Sequence, residues 1–364
     1  MPGSTNSSRS DEDRSRSIWV TVLAGGSGTR FWPVSTPDRP KQLLPLSEGT
    51  ESLLVETLDR ARALAPAHRI RVLAGADLAR TLRDAVPALT EEAFLVESRV
   101  RGTAPVLVWA AWHLGRLDPD AVLVSLHADH HIRPTERFVE VVAAAVEVAS
   151  REDVLVTVGA RPDRPETGYG YIQPGPALAS GALPAFRVEA FHEKPDRETA
   201  ARYVGEGFLW NTGIFVWRPE VLLREVREGS AELADVLPLL DAGDVEAFFD
   251  AAPVCTVDVA VLEKSSNVAV VPATFDWDDV GSWPSLCRTR QADAEGNVTV
   301  GEAHILDGTD NVTYAEDGAI VLWGVSDLVV VKTGGVTLVL PRERAPRLKE
   351  LLERLPESLR EGSP

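Results

Sequence analysis

The sequence predicts an α/β fold: a Rossmann-like, mixed but mostly parallel sheet flanked by helices, followed by a small β-rich C-terminal domain. Three observations carry this. Short β-branched apolar runs alternate with amphipathic helical patterns over the first two-thirds of the chain, the pattern of βαβ crossovers. A glycine-rich break follows the first apolar run, and sheets of this kind collect ligands at the carboxyl ends of their strands. After Asn297 the helical patterns give way to further strand-like runs.

Residues 1–17 are rich in Ser, Arg and Asp and lack the apolar stretch of a secretory signal, so they are expected to be a disordered tail. Strands are then expected at Ile18–Ala24, Arg69–Ala74, Ala93–Val96, Ala121–Leu126 and Val154–Val158. Each is short and apolar, bounded by turn residues. Between them, helical periodicity covers Ser52–Leu64, Leu78–Val86, Thr103–Leu117 and Thr135–Ser150. From Arg161 to Trp217 the punctuation by Pro and Gly predicts loops and short antiparallel strands. A helical pattern returns over Val216–Asp250. Beyond a boundary near residue 290, strands are expected at Asn297–Val300, Ala319–Trp323, Leu328–Lys332 and Val336–Leu340, with a last amphipathic helix over Arg344–Leu355. The expected division is therefore a large α/β domain over 18–290 and a small β-rich domain over 291–364.

Composition bounds the partners. At 364 residues and 44% hydrophobic content, the chain has the make-up of an ordinary globular protein. No apolar run reaches the ~18 residues of a membrane span. A net charge of −18 argues against a nucleic acid polymer, whose phosphates need a basic face. Cys255 and Cys287 are too few for a disulfide framework and lack metal-ligand spacing, so a cytoplasmic location is expected. Thirty-two arginines stand against five lysines. Where Lys persists in such a composition, a compact and mobile ammonium is needed in place of a planar fork. Lys41, Lys194 and Lys264 lie in the motifs below, whereas Lys332 and Lys349 read as solvated surface.

The first motif is the break after Ile18–Ala24. Gly25, Gly26 and Gly28 let backbone N–H groups crowd around an anion without Cβ obstruction. Arg30 follows at once, and Lys41 lies in a chain stiffened by Pro33, Pro37 and Pro40. A glycine loop with a fixed Arg and Lys is a polyphosphate cradle, and Mg²⁺ is expected beside it. Neither G-x-G-x-x-G nor G-x-x-x-x-G-K-[ST] is present, so the dinucleotide fingerprint and the Walker-type loop are excluded.

Two acidic segments can each supply a ligand to the metal. Asp129 ends the apolar run Leu123–Leu126 and faces the same sheet edge as the glycine loop, where a carboxylate suits Mg²⁺. In Asp276-Trp-Asp278-Asp279-Val280-Gly281 three carboxylates crowd four residues and repel one another unless a cation or solvent relieves them. Asp279 is expected to be the ligand, with Asp276 and Asp278 as exposed turn or cap residues. Gly281 would allow a sharp turn, and Trp277 and Trp283 would anchor the loop. A zinc hydrolase reading of Ser125-x-His127-x-Asp129-His130 lacks a first histidine, and His68, His113, His192 and His304 have no partner spacing. His127, His130 and His131 are therefore expected to be supporting or loop residues. His192-Glu193-Lys194-Pro195 offers a carboxylate for sugar hydroxyls and an ammonium for a phosphate. Its neighbours Glu166-Thr-Gly168-Tyr-Gly170-Tyr and Trp210-Asn211-Thr212-Gly213 add small residues and an amide of the kind a sugar pocket needs.

Taken in order, these motifs resemble the sugar-nucleotide pyrophosphorylases, and within them the mannose-1-phosphate guanylyltransferase branch. The resemblance runs from about Val20 to Trp283. It rests on A-G-G-S-G-T-R-F-W-P with P-K-Q at 24–42, R-G-T-A-P at 101–105, A-D-H-H-I at 128–132 and E-T-G-Y-G-Y-I at 166–172. It continues through F-H-E-K-P-D at 191–196, W-N-T-G-I-F at 210–215, V-D-V-A-V-L-E-K at 257–264 and W-D-D-V-G-S-W at 277–283. The resemblance implies that Leu23, Ala24, Gly25, Gly26, Ser27, Gly28 and Thr29 bind the nucleotide, with the loop Gly25–Thr29 holding the phosphates of GTP. Arg30 would then stand on the departing pyrophosphate and Lys41 near the α-phosphate. It further implies Asp129 and Asp279 as Mg²⁺ ligands, and Gly168, Glu193, Lys194 and Asn211 as the sugar 1-phosphate site. Gly102 stands where the family usually has Asn, in the loop Glu97–Thr103 that would face the base. Glu97 is placed to accept the paired N1–H and N2–H₂ donors of guanine, with Gly102 and Thr103 beside it. The C-terminal strands resemble the family's small left-handed β-helix. A homodimer is implied, with GTP and a sugar 1-phosphate as partners and no membrane. Two other readings stay open: a guanylyltransferase for a manno-heptose 1-phosphate, and a non-catalytic homologue that binds GDP-mannose and regulates a partner.

Overall fold

The computed structural model of the protein describes residues 17–26, 28–179 and 181–360. The expected tail at 1–16 and the loop residue Ser27 lie outside the described residues. Ser17, placed with the tail by its composition, already belongs to the fold: its hydroxyl donates to Asp118 and its carbonyl accepts the Val122 N–H.

The first half alternates as expected. Strand β1 (Ile18–Leu23) is followed by helix α1 (Leu53–Leu64), β2 (Ile70–Gly75), α2 (Ala76–Ala85), β3 (Phe94–Glu97) and α3 (Thr103–Leu117). Then come β4 (Val122–His127), the short β5 (His131–Arg133), α4 (Thr135–Glu152) and β6 (Leu155–Ala160). Local chemistry sets several boundaries. Ser52 caps α1 by accepting the Val55 N–H at 3.3 Å, satisfying a donor that the first helical turn leaves unpaired. β1 is buried from Trp19 onward, which is why it reads as a continuous apolar run and not as an alternation.

The segment after Arg161 differs from a simple continuation. β7 (Gly170–Ala177), β8 (Phe186–Glu193) and β9 (Leu209–Trp217), with α5 (Arg197–Gly205) between the last two, join the main sheet. So does β10 (Val268–Pro272), giving the order β3-β2-β1-β4-β9-β6-β10-β8-β7. Four pairings are parallel and five are antiparallel. The antiparallel share is larger than the alternation predicts because β9 inserts between β4 and β6 and runs against both. α6 (Pro219–Gly229) starts with a proline at its first position, where no intrahelical N–H is needed. The apolar faces of α4 and α3 cover opposite sides of the sheet.

A two-stranded ribbon pairs β5 with β11 (Asp276–Asp278), Asp278 opposite His131. The C-terminal strands β12 (Val298–Leu306), β13 (Val312–Trp323) and β14 (Leu328–Thr333) stack in parallel, and β15 (Val336–Pro341) closes them antiparallel. The expected terminal helix is shorter, at Leu348–Leu352, because Pro346 has no N–H to give and the chain before it forms a tighter 3₁₀ turn. One apolar cluster joins this domain to the segment that follows the glycine loop: Phe31, Trp32, Leu44 and Leu46 pack with Val280 and Trp283 and with Val298, Val312 and Val331. Trp283 is fully buried and donates from Nε1 to the Trp32 carbonyl at 3.1 Å. No described helix is long and apolar enough to cross a membrane.

Candidate active site

β1 and β4 lie side by side and parallel, with Leu23 opposite His127, so the glycine loop and the Asp129 loop leave the same sheet edge. The Leu23 carbonyl accepts the Ala128 N–H and the Ala24 N–H donates to the Leu73 carbonyl, both at 3.0 Å; these two residues fix the root of the loop through their backbone. A cavity of about 350 Å³ opens there, lined by Gly25, Gly26, Gly28, Thr29, Arg30 and Lys41, and by Asp129, Asp279, His127 and His130. The β5–β11 ribbon carries Asp279 to this edge from a distant part of the chain.

Lys41 is the hub. It is buried, lies at the start of a 3₁₀ turn after Pro40, and donates from Nζ to Asp129 Oδ2 and to the Asp279 carbonyl, both at 2.9 Å. Gly28 makes room for it. The residue has φ +58°, and a Cβ there would lie 2.5 Å from Lys41 Cβ and 2.8 Å from Ser35 Oγ. Burial pushes the Asp129 carboxyl up, but Lys41, His130 and His127 together hold it down at about 2. Asp129 is thus a carboxylate at neutral pH. Asp279 accepts the Tyr169 hydroxyl on Oδ1 at 2.6 Å, and a Cβ on Gly281 would sit 2.8 Å from its Oδ2. Two carboxylates facing one cavity offer the hard oxygen donors that Mg²⁺ takes.

The histidines beside them are a less suitable metal set. Ligand atoms of His127, Asp129 and His130 lie within 4.8 Å of one another. However, Trp277 Nε1 donates to His130 Nδ1 at 3.2 Å, and an indole N–H can only donate. His130 therefore carries its proton on Nε2 and has no lone pair to offer there. Burial lowers the basicity of both rings, leaving neutral imidazoles stacked at 4.4 Å. His131 turns away to Ser47 Oγ, 3.0 Å from its Nδ1.

The acidic loop departs from expectation in two ways. Asp276 is exposed, but Asp278 is buried and takes Arg288 Nε on Oδ2 at 2.5 Å. The sharp turn is made by Val280, at φ +48°, and not by Gly281, whose lack of a side chain leaves space for Asp279. Trp277 and Trp283 do anchor the loop, the first against Tyr169 and His130, the second against Phe31 and Tyr314.

A second cluster lies along β8 and β9. Lys194 Nζ donates to Glu193 Oε1 at 2.5 Å, and the Glu193 N–H donates to Glu263 Oε1 at 2.8 Å. Asn211 Oδ1 accepts the Thr157 hydroxyl at 2.8 Å while its Nδ2 donates to Asp258 Oδ1 at 2.7 Å. Burial, then the charge of Glu193, pushes the Asp258 carboxyl up to about 6. Gly168 is exposed and uncrowded, whereas a Cβ on Gly170 would lie 2.7 Å from Glu193 Oε2; close approach is required at Gly170. Tyr169 joins the two clusters, its hydroxyl on Asp279 and its carbonyl accepting the Lys194 N–H at 3.2 Å. Tyr169, Gly170 and Asp258 lie inside motifs that the sequence displays, yet only their contacts assign them a place.

The third group stands at the end of β3. Glu97 is buried, its Oε2 has no hydrogen-bond partner among the described residues, and burial pushes its carboxyl up to about 7. Gly102 has φ +86°, and a Cβ there would lie 2.4 Å from the Cys255 carbonyl, so no other residue fits this backbone. Thr103 Oγ1 accepts the Val257 N–H at 3.0 Å, fastening that segment to the start of α3.

A glycine loop, a buried lysine between two aspartates and an adjoining polar cluster form a site for a nucleotide beside a second small substrate. In agreement, a family model described as "Nucleotidyl transferase" matches residues 20–296, and one described as "MannoseP isomerase/GMP-like beta-helix domain" matches residues 301–355. The chain belongs to the nucleotidyl transferase family. More particularly, it is similar to the mannose-1-phosphate guanylyltransferase of Escherichia coli K12, 36% identical over 361 residues that cover 93% of this chain and 73% of the relative. The xanthan biosynthesis protein XanB of Xanthomonas campestris pv. campestris is 36% identical over 347 residues, 92% of this chain and 72% of the relative. Among solved structures, a Thermus thermophilus protein described as a mannose-1-phosphate geranyltransferase superposes with a TM-score of 0.85. It is 34% identical, with 93% of this chain and 99% of that chain covered.

Proposed function

We propose that this chain is an enzyme joining GTP and α-D-mannose 1-phosphate into GDP-mannose and pyrophosphate. The observation that carries the reading is the convergence of Lys41, Asp129 and Asp279 in one cavity with the glycine loop and Arg30. Its curated relatives of that name support the choice of substrates. In this reading the N–H groups of Gly25–Thr29 and Arg30 hold the β- and γ-phosphates. Lys41 stands by the α-phosphate. Glu193, Lys194 and Asn211, with Gly168 at the rim, hold the sugar 1-phosphate. A phosphate oxygen of the acceptor attacks the α-phosphorus, the bond to the bridging oxygen breaks, and pyrophosphate leaves with the electron pair. The attacking oxygen is already anionic, so no general base is required. Catalysis rests on positioning two anions that repel and on neutralising charge as the guanylyl group passes. Asp129 and Asp279 would hold Mg²⁺, which when bound withdraws charge from the α-phosphate oxygens. A cytoplasmic, homodimeric enzyme fits this role.

The reading is tested by pyrophosphate release with four nucleotides crossed against mannose, glucose and manno-heptose 1-phosphates. GTP with mannose 1-phosphate is expected to be the fastest pair. A faster heptose substrate would move the acceptor, and no release with any pair would leave a non-catalytic binding protein.

Guanine selection is assigned to Glu97, whose two carboxylate oxygens would take the two adjacent donors of the base. Only the carboxylate accepts both, and its pKa is raised to about 7, so binding should strengthen as pH rises through 7 and weaken below it. The KM for GTP is expected to be about tenfold higher at pH 6 than at pH 8. Glu97→Gln should flatten this profile and cut the GTP-over-ATP preference by about 10–100-fold. An unchanged preference in that variant removes Glu97 from base recognition.

A further inference from the structure

Six non-glycine residues among those described adopt left-handed backbone conformations. Four are aspartates, which tolerate it. The other two are Lys194 and Val280, and both belong to the site. Val280 is the more strained, since a β-branched residue at positive φ is a genuine outlier. Such conformations persist only where the surroundings impose them.

The imposing group is Asp278. Its Oδ1 accepts the Val280 N–H at 2.8 Å, two residues on. That carboxylate is itself fixed. Arg288 grips it with two nitrogens, Nε on Oδ2 at 2.5 Å and Nη2 on Oδ1 at 3.2 Å, the bidentate geometry that fixes orientation as well as charge. Arg164 Nη2 adds a second cation 3.8 Å from Oδ2. Arg288 Nη2 also donates to Ser285 Oγ at 3.1 Å, and that oxygen accepts the Ser282 N–H at 3.2 Å. The turn is thus tied at both ends. Between Asp278 and Val280 lies Asp279, whose carbonyl takes Lys41 and whose carboxylate takes Tyr169. Asp278, Arg288 and Arg164 line a separate cavity of about 440 Å³ and do not line the one that contains Lys41 and Asp279.

We propose that Asp278 and Arg288 form a positioning clamp. From behind the loop, they hold Val280 in the conformation that turns Asp279 into the active-site cavity, and so set the affinity of Asp279 for a divalent metal. Neither touches substrate. The proposal rests on the reading of Asp279 as a metal ligand, and its test separates the two.

Mn²⁺ is titrated into the full chain and its variants, with free ion followed by its electron paramagnetic resonance signal. Asp278→Ala and Arg288→Met are expected to weaken Mn²⁺ binding about 10–100-fold, the usual cost of removing a group that orients a ligand. Asp278→Asn keeps an acceptor for the Val280 N–H and should fall between them and the unmodified protein. The KM for mannose 1-phosphate should stay within about twofold of its original value, since this shell acts on the metal side. If Asp278→Ala does not fold, Arg288→Met decides, because Arg288 is partly exposed. Folded Asp278→Ala and Arg288→Met proteins that bind Mn²⁺ unchanged overturn the clamp. Asp279→Asn is measured in parallel. If it loses Mn²⁺ while the clamp variants retain it, the clamp alone fails. If it too binds normally, the ligand reading fails and the clamp falls with it.

Discussion

Replacing Lys41 with alanine is expected to lower kcat by about 10²–10³-fold, the typical cost of one preorganised electrostatic donor. Its ammonium is the contact that joins the Asp129 carboxylate to the Asp279 carbonyl. Without it the two metal-side loops lose their common tie and the α-phosphate under attack loses its counter-charge. The fold should survive, because the Asp129 side chain keeps about a fifth of its exposure and water can replace the lost donor. Stability should still fall at neutral pH, and the sign of its pH dependence is defined. The Asp129 pKa is depressed to about 2 in the folded protein, so its contribution is present above the ordinary value near 3.8 and is lost as pH falls toward 2. The gap in Tm between the original protein and Lys41→Ala should therefore narrow from pH 7 to pH 3. Turnover near the original value in pyrophosphate release would remove the role.

Gly28→Ala is expected to be nearly as damaging, although it adds a single methyl group. The new carbon would overlap Lys41 Cβ at 2.5 Å and Ser35 Oγ at 2.8 Å, at a φ of +58° that a side chain disfavours. Lys41 must move to relieve the overlap, and a displacement of about 1 Å at a reacting centre costs about 10² in rate. Gly25 provides the contrast: beyond its chain neighbours, a Cβ there meets no atom of the described residues within 4 Å. Gly25→Ala should raise the KM for GTP by crowding the phosphates while leaving kcat closer to normal. Steady-state kinetics of the two variants, side by side, check the difference. Equal effects on kcat would mean that Gly28 does not act through Lys41.

The parts of this fold that could be read from sequence are those where local chemistry and burial agree. α3 begins at Thr103 and ends at Leu117 as its periodicity predicts, and α1 follows its Ser52 cap. β1 shows itself by an unbroken apolar run because both of its faces are covered. What could not be read depends on contacts between distant segments. Nothing in Leu209–Trp217 announces that β9 inserts between β4 and β6 against their direction. The β5–β11 ribbon that brings Asp279 to Asp129 has only three residues in each strand, too few for periodicity to register. Asp278 looks like a solvated acid until Arg288, ten residues on, is seen to fold back over it. Val280 carries the strain because glycine is needed next to it for a different reason, the space occupied by the Asp279 carboxylate. The motif residues themselves were legible, as chemistry that must be exposed to a ligand, but the partner of each was not.

The central claim is direct attack by the sugar phosphate on the α-phosphorus, with Lys41 acting as an ammonium held between two oxygens and never as a nucleophile. It is tested most directly by the stereochemistry at phosphorus, using GTP that carries a single chiral thiophosphate at the α position together with mannose 1-phosphate. One in-line displacement predicts GDP-mannose of inverted configuration at that phosphorus. Retention would require two displacements through a covalent nucleotidyl-enzyme and would contradict the account.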